Sequence, residues 1–180
     1  NKEVVLAAVS NTGYALQFAS EPLRNDRDVV LAAVHNDGLA LGYSSIALKN
    51  DKEIVLVAAS NNGLALQLAS VTLKRDKEVV LTAVNNDGLV LQYASKALQN
   101  DRNIVLAAIR KGGIALKFVS KELQTDRELI LVAVKQEGHV LKYVPDEFKN
   151  DKHVVLTAIE QDPDALRYAS PELQKLLSCS

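Results

Sequence analysis

Apolar and polar residues follow one pattern of 25 positions, which is repeated seven times without an insertion or a deletion. The repeats cover residues 1–25, 26–50, 51–75, 76–100, 101–125, 126–150 and 151–175, and residues 176–180 form a remnant. A fixed period of this length is typical of repeat proteins, in which each unit buries its apolar face against its neighbours. We therefore number the positions of each repeat from 1 to 25. We expect residues 1–180 to form one continuous array.

The first half of each repeat predicts an α-helix. Position 1 is Asn1 in the first repeat and aspartate in the other six, and both residue types are good helix N-caps. Positions 4 to 9 read Val-Val-Leu-Ala-Ala-Val with little variation, with leucine at position 6 and alanine at position 8 of every repeat. A helix that is apolar on nearly every side is expected to be packed on nearly every side. Glycine at position 13 of six repeats fits a left-handed cap after this helix.

The second half of each repeat predicts a shorter helix and a final turn. Leucine occupies position 16 in every repeat, and prolines fall at positions 20 to 22 as Pro145, Pro171 and Pro22. Because proline is excluded from a helix interior, we expect the second helix to begin near position 14 and to stop near position 19. In repeat seven, Asp162-Pro163-Asp164 predicts the N-cap and first turn of this helix, and Ser170-Pro171 predicts a capped third turn.

A β-hairpin around Asn86-Asp87-Gly88 is the alternative interpretation. The fixed alanines, the aspartate caps and the lack of period-two alternation favour helices instead. The predicted fold is therefore an all-α solenoid of seven helix–helix–turn repeats.

The repeat D-[KR]-E-[VI]-V-L-x-A-[VI]-x-x-x-G-x-A-L-x-[YF]-A-S-x-x-L resembles a tandem-repeat family of unknown function, numbered forty-one sixteen. That family has a unit of about 50 residues, or two of the present repeats, and the chain shows a trace of this doubling. Position 18 is tyrosine in the even repeats, as Tyr43, Tyr93 and Tyr143, and varies in the odd ones. The resemblance implies a helical array of the kind found in microbial eukaryotes and intracellular bacteria, in some cases delivered into a host cell. It carries over no catalytic residue.

Composition narrows the possible functions only a little. Lysine and arginine number 21 against 22 acidic residues, and this balance argues against a dedicated nucleic-acid-binding protein. The longest apolar run has six residues, far fewer than the ~20 that span a bilayer. Cys179 has no second cysteine to pair with, and we interpret it as a bland residue near the end of the chain. Because the chain starts at Asn1 and contains no methionine, we expect it to be a fragment or a processed product. An intracellular location is favoured.

The sequence offers no pattern that indicates an enzyme, a cofactor site or a metal site. His35, His139 and His153 have neither a second histidine nor a cysteine at ligand spacing. Serine recurs at position 20 in six repeats, which indicates a helix cap rather than a nucleophile. We expect a protein without catalytic activity.

Surface rows carry the remaining candidates. Position 2 is basic in every repeat. This row of charges is either neutralised by the neighbouring aspartates or able to bind successive phosphates of a nucleic acid. Repeat five has five basic and two acidic residues, a charge of +3, and position 17 is basic in the last three repeats. The candidate partner-binding patch consists of Arg102, Arg110, Lys111, Lys117, Lys121, Lys142 and Arg167. The alternative is that these basic residues arose by random drift on a solvent-exposed face. We expect the aromatic residues at position 18 to belong to the core.

Three functions remain open. The first is a scaffold that binds another protein through the variable positions 10–12, 17, 21, 22 and 24. The second is a structural spacer, which includes end-to-end self-association, since neither end repeat is visibly more polar than the middle ones. The third, nucleic-acid binding, is disfavoured by the neutral charge.

Overall fold

A computed structural model describes residues 1–178, and every regular element in this range is helical. Ten-residue α-helices fill positions 2–11 of the seven repeats: α1 Lys2–Asn11, α2 Arg27–Asn36, α3 Lys52–Asn61, α4 Lys77–Asn86, α5 Arg102–Lys111, α6 Arg127–Gln136 and α7 Lys152–Gln161. Each of these helices packs against the corresponding helix of the next repeat. The predicted all-α solenoid is confirmed, and the β-hairpin alternative is wrong. Cys179 lies outside the described residues.

The second element is the predicted short helix, and in six of the seven repeats it is a 3₁₀-helix. It occupies Gly13–Phe18, Gly38–Tyr43, Gly88–Tyr93, Gly113–Phe118, Gly138–Tyr143 and Pro163–Tyr168, whereas repeat three has one α-helical turn at Ala65–Leu68. Its N-cap and C-cap residues are mostly extended, as at Asp87 and Ala94 in repeat four. This leaves only six residues for the element. The tighter 3₁₀ geometry is typical of short connecting segments, although six residues exceed the usual length of a 3₁₀ run.

The third element is a single turn in the first six repeats. It lies at Glu21–Arg24, Leu48–Asn50, Leu73–Arg75, Leu98–Asn100, Leu123–Thr125 and Asp146–Lys149. In repeat seven it lengthens to the eight-residue helix α8, Pro171–Ser178, which includes residues 176–178 of the remnant. In repeats two, three, five and seven the serine at position 20 caps this turn as predicted, as when Leu73 N donates to Ser70 Oγ at 3.2 Å. Ser20 and Ser95 make no such bond.

The aspartate caps also form as predicted. In α4, Asp76 Oδ1 accepts hydrogen bonds from Glu78 N at 3.0 Å and from Val79 N at 3.1 Å. Asn1 takes the same role in α1 by accepting from Glu3 N at 3.0 Å. Because each side chain satisfies N–H groups that lack an intrahelical partner, it fixes where its helix begins.

The core lies between the first and second elements of successive repeats. In repeat four, the buried side chains are those of Val79, Val80, Ala83, Val84 and Leu91, at positions 4, 5, 8, 9 and 16. The opposite side of the helix, at positions 3, 6, 7 and 10, faces solvent to differing degrees. Most residues at positions 6 and 7 still pack partly against the core, so the helix is less completely packed than expected.

The glycine at position 13 is not a left-handed cap, because no glycine among residues 1–178 has a positive φ. Its role is to permit close approach between repeats. A Cβ on Gly88 would lie 2.2 Å from the carbonyl oxygen of Ala108, at position 8 of the next repeat. The six glycines at this position give corresponding distances from 2.2 to 2.7 Å, closer than a Cβ atom can approach an oxygen. Pro163 replaces glycine in repeat seven, on which no further repeat of the described chain is stacked.

Candidate protein-binding surface

One side of α1–α7 forms a continuous surface, which we call the leucine groove and define by positions 3, 6, 7 and 10. Leucine at position 6 and a small residue at position 7 form its floor. A cavity of about 690 Å³ opens on this floor across α1, α2 and α3, and its lining includes Leu31, Ala32 and Val57. A second cavity of about 380 Å³ lies between α6 and α7 and includes Leu131 and Val132.

The two rims of the leucine groove differ in chemistry. One rim is position 3, which is mostly acidic: Glu3, Asp28, Glu53, Glu78, Asn103, Glu128 and His153. The other rim is position 10, which is exposed and varies in every property: Ser10, His35, Ser60, Asn85, Arg110, Lys135 and Glu160. The variable rim therefore has no lysine, arginine or acidic side chain over repeats one to four, and it is basic over repeats five and six.

The position-2 cations next to the acidic rim are engaged between repeats. Lys52 Nζ lies 2.8 Å from Asp76 Oδ2 and 2.9 Å from Glu78 Oε2, both in the following repeat. Arg27 and Arg102 contact the matching pairs of carboxylates one repeat further along. The hydrogen bond with Asp76 raises the pKa of Lys52, and the same bond lowers the pKa of Asp76. This ladder of ion pairs leaves few position-2 charges free for phosphates.

The seven residues of the predicted basic patch are all exposed but lie on different elements. Arg102 belongs to the ion-pair ladder, where its Nε is 3.0 Å from Asp126 Oδ2. Arg110 and Lys111 lie at the other end of α5, about 12 Å along the helix from Arg102. Lys121 lies in the turn just before Leu123–Thr125, the third element of repeat five. The patch therefore divides into separate groups, of which only Arg110 lies on a rim of the leucine groove.

Lys117, Lys142 and Arg167 form the remaining group, along position 17. Lys117 Nζ lies 4.5 Å from the centroid of the Tyr143 ring, and Lys142 Nζ lies 5.7 Å from it. Arg167 contacts Tyr168 in the same way, at 4.8 Å. These cation–π contacts cover the aromatic faces, so that stacking of a nucleobase would first require the cations to move.

Two of the positions expected to form a recognition surface have structural tasks instead. Position 24 caps the second element, as when Lys74 Nζ donates to Gln67 O at 2.7 Å. The asparagine at position 11 of repeats two, three and four links each of these repeats to the one before it. Asn86 Oδ1 accepts from Gly63 N at 2.9 Å, while Asn86 Nδ2 donates to Ser60 O at 3.1 Å.

A further link between repeats was missed by the sequence analysis. Ser70 Oγ at position 20 donates to Asn50 Oδ1 at position 25 of the preceding repeat, at 2.5 Å. The same bond occurs between Ser45 and Asn25, Ser120 and Asn100, and Ser170 and Asn150. The signal was present in the sequence, because serine at position 20 follows asparagine at position 25 in each of these four cases.

Within residues 1–178, no cluster of three or more metal-binding side chains occurs. In the same range, no helix has the length and apolar character needed to cross a membrane.

Stacked tandem repeats with a leucine-floored groove define the class of protein as an all-α solenoid. The family model described as Domain of unknown function (DUF4116) matches residues 1–48, 36–74, 76–124 and 126–174, and the chain therefore belongs to this family. The last two of these matches each span about two of the 25-residue repeats, in agreement with the predicted doubling. Neither the search of curated proteins nor the search of solved structures found a match.

Proposed function

We propose that the protein is a non-catalytic scaffold that binds a segment of another protein along the leucine groove. The observation that carries this proposal is the leucine at position 6. It recurs in all seven repeats although it lies on the solvent side. Leu81 and Leu156 are 39% and 37% exposed, and the other five leucines are partly buried against the core. Other exposed positions, such as 10, 21 and 22, vary freely between repeats. A leucine that is kept at a half-exposed position indicates a surface used for contact.

The composition of the groove supports a protein partner. An apolar floor bordered by polar rims has the layout of a protein–protein interface, whose centre is apolar and whose edge is polar. The floor extends over several repeats, which suits an extended or helical segment better than a small molecule. Arg110 and Lys135 on the variable rim would favour acidic residues in the part of the partner that faces repeats five and six.

A structural spacer is the second candidate, and the apolar outer face of repeat one favours it. Nucleic-acid binding has less support, because most position-2 cations are already paired with carboxylates of the next repeat.

The proposal is tested by capture with variants of the groove. The chain is immobilised, exposed to nuclease-treated cell extract, and compared with the double variant Leu56→Ser/Leu81→Ser. Val71→Ser is the matched control, because Val71 is 70% exposed and lies at position 21, outside the groove. We expect proteins captured by the native chain to be lost with the groove variant and retained with the control. Equal capture by all three forms, or loss of all captured material after nuclease treatment, would contradict the proposal.

A further inference from the structure

The outer face of repeat one exposes apolar side chains that are buried in the other repeats. Val4 is 66% exposed, whereas the residues at position 4 of repeats two to seven are at most 3% exposed. Ala8 is exposed although its six counterparts at position 8 are fully buried. Phe18 is 84% exposed, while Tyr43 at the same position packs edge-on against Tyr14 of the preceding repeat. In each of the six internal contacts, the element that covers these positions is the preceding repeat.

The same face of repeat one carries the polar groups that bind the preceding repeat at the internal contacts. Asn11 corresponds to Asn36, which clamps Gly13 N at 2.7 Å. Ser20 corresponds to Ser45, whose N–H donates to Arg24 O at 3.0 Å and whose hydroxyl donates to Asn25. Glu3 is at the position of the carboxylates that pair with a position-2 cation. The apolar and polar parts of the inter-repeat contact are therefore both present on repeat one.

The outer face of repeat seven is built differently. Pro163 replaces the glycine that leaves room for a carbonyl oxygen of the next repeat, and its Cβ would meet that oxygen in the geometry of the six internal contacts. Asp164 follows at position 14, which is apolar in repeats one to five. Helix α8 extends past the usual turn, and its Leu177 packs against the core. The outer face of repeat one, which we call the open end, therefore matches the internal contacts, whereas the outer face of repeat seven does not.

We propose that the outer face of repeat one is a docking surface for another helical repeat of this same kind. The occupant has glycine at position 13, a lysine or arginine at position 2 and an acceptor at position 25. The evidence for this occupant is continuity with the internal contacts, which show the same face covered in this way six times. A second copy of this chain is a poor occupant, because Pro163 stands where its last repeat would need glycine.

The test adds one repeat to the full chain. A copy of residues 76–100 is fused before Asn1. If it stacks as an internal repeat does, its glycine lies against Asn11, its lysine against Glu3 and its last asparagine against Ser20. Both forms carry Phe18→Trp, the sole tryptophan in a chain that otherwise has none. We expect the fused repeat to stack, so that the urea m-value rises by about one seventh, since m scales with the surface exposed on unfolding. Tryptophan emission should shift to the blue, and iodide quenching should fall.

Two matched controls separate stacking from mere lengthening of the chain. The first is the same fusion with its glycine replaced by proline, a residue that repeat seven accommodates at this position. The second places the same 25 residues after Lys175. We expect neither control to raise the m-value, and the proline control to leave the tryptophan exposed.

Three results would overturn the proposal. The first is that the glycine fusion has an unchanged m-value and a tryptophan that iodide still quenches. The second is that the glycine and proline fusions stack equally well. The third is that the native chain forms a dimer, which Phe18→Asp separates into monomers. The last result would show that the open end pairs with itself.

Discussion

At the scale of single residues, the close contact between Gly113 and the next repeat can be tested with an internal control. A Cβ on Gly113 would lie 2.5 Å from the carbonyl oxygen of Ala133, whereas a Cβ on Gly112 would have Glu137 Oε1 as its nearest neighbour, at 3.5 Å. We expect Gly113→Ala to lower the free energy of unfolding by about 1–3 kcal/mol, as overpacking does, and Gly112→Ala to be nearly neutral. Urea unfolding of both variants measures this difference. Equal stabilities would show that the repeats move apart at no cost.

The aspartate caps predict how stability depends on pH. The pKa of each of the six aspartates at position 1 is lowered in the folded chain; for Asp76 the main cause is the hydrogen bond from Lys52. A lowered carboxyl pKa means that the stabilisation is complete above the ordinary value of 3.8 and is lost as the pH falls through the folded value. We therefore expect urea midpoints that change little between pH 7 and pH 5 and fall steeply below about pH 4.

Two variants at one site separate the cap from the ion pair. Asp76→Asn keeps a capping oxygen, as Asn1 does in α1, but removes the charge. Asp76→Ala removes both, and we expect it to cost about 1 kcal/mol more than the asparagine variant at pH 7. The asparagine variant should also lose less stability on acidification than the native chain. If acidification from pH 7 lowered the free energy of unfolding of all three forms equally, the role given to this carboxylate would be contradicted.

Single residues also show where prediction from the sequence succeeds and where it stops. Asp76 and Leu91 have roles set within their own repeat, so that the residue type and its position were enough to predict a cap and a core side chain. The reason for Gly88 lies in the next repeat, because the obstacle is the carbonyl oxygen of Ala108. Sequence analysis assigned the glycine to its own helix end and therefore gave it the wrong conformation.

At the scale of elements, the bond between serine at position 20 and asparagine at position 25 predicts a stabilising substitution. Ser95 Oγ is buried and has no hydrogen-bond partner in the described part of the chain, because position 25 of the preceding repeat is Arg75. Arg75→Asn would supply the missing acceptor. We expect it to raise the free energy of unfolding by about 0.5–1.5 kcal/mol, the usual net gain from one hydrogen bond.

The matched control for this substitution is Arg75→Ala, which removes the same side chain without adding an acceptor. Urea unfolding should place it at or below the stability of the native chain. If alanine stabilises as much as asparagine, the gain comes from removal of the arginine and not from the hydrogen bond.

The boundaries of the elements were largely predictable, but their helix type was not. Caps and prolines mark where an element begins and ends, and these marks lie in the repeat itself. Whether Gly88–Tyr93 winds as an α-helix or as a 3₁₀-helix depends on its fit between two neighbouring repeats. The leucine groove was missed for a related reason, since an apolar residue such as Leu81 suggests burial even where its side of the helix has no covering element.

At the scale of the whole molecule, the contact between repeats five and six has the fewest polar links. Gln136 stands in place of a clamping asparagine, and Thr125 in place of the asparagine acceptor. Pro145 lacks the N–H that the serine at position 20 of the five other stacked repeats donates to the carbonyl oxygen at position 24. It also lacks the hydroxyl that four of those serines donate to the asparagine at position 25. The ion pairs of Arg102 with Asp126 and Glu128 remain. Because a repeat array is stabilised through its nearest-neighbour contacts, this contact should divide it into two cooperative units.

Native-state hydrogen exchange measures this division directly. We expect amides of α6, such as that of Val134, to open at a lower free energy than those of α5, such as that of Ile109. Fraying from the chain end would produce a gradual decline across repeats five, six and seven, whereas the missing links predict a step between α5 and α6. Thr125→Asn combined with Pro145→Ser restores both bonds at this contact and should remove the step. Thr125→Asn alone should leave the step in place, because Pro145 still has no donor. Protection that is continuous across α5 and α6 in the native chain would contradict the prediction, since it would show that apolar packing alone holds the array together.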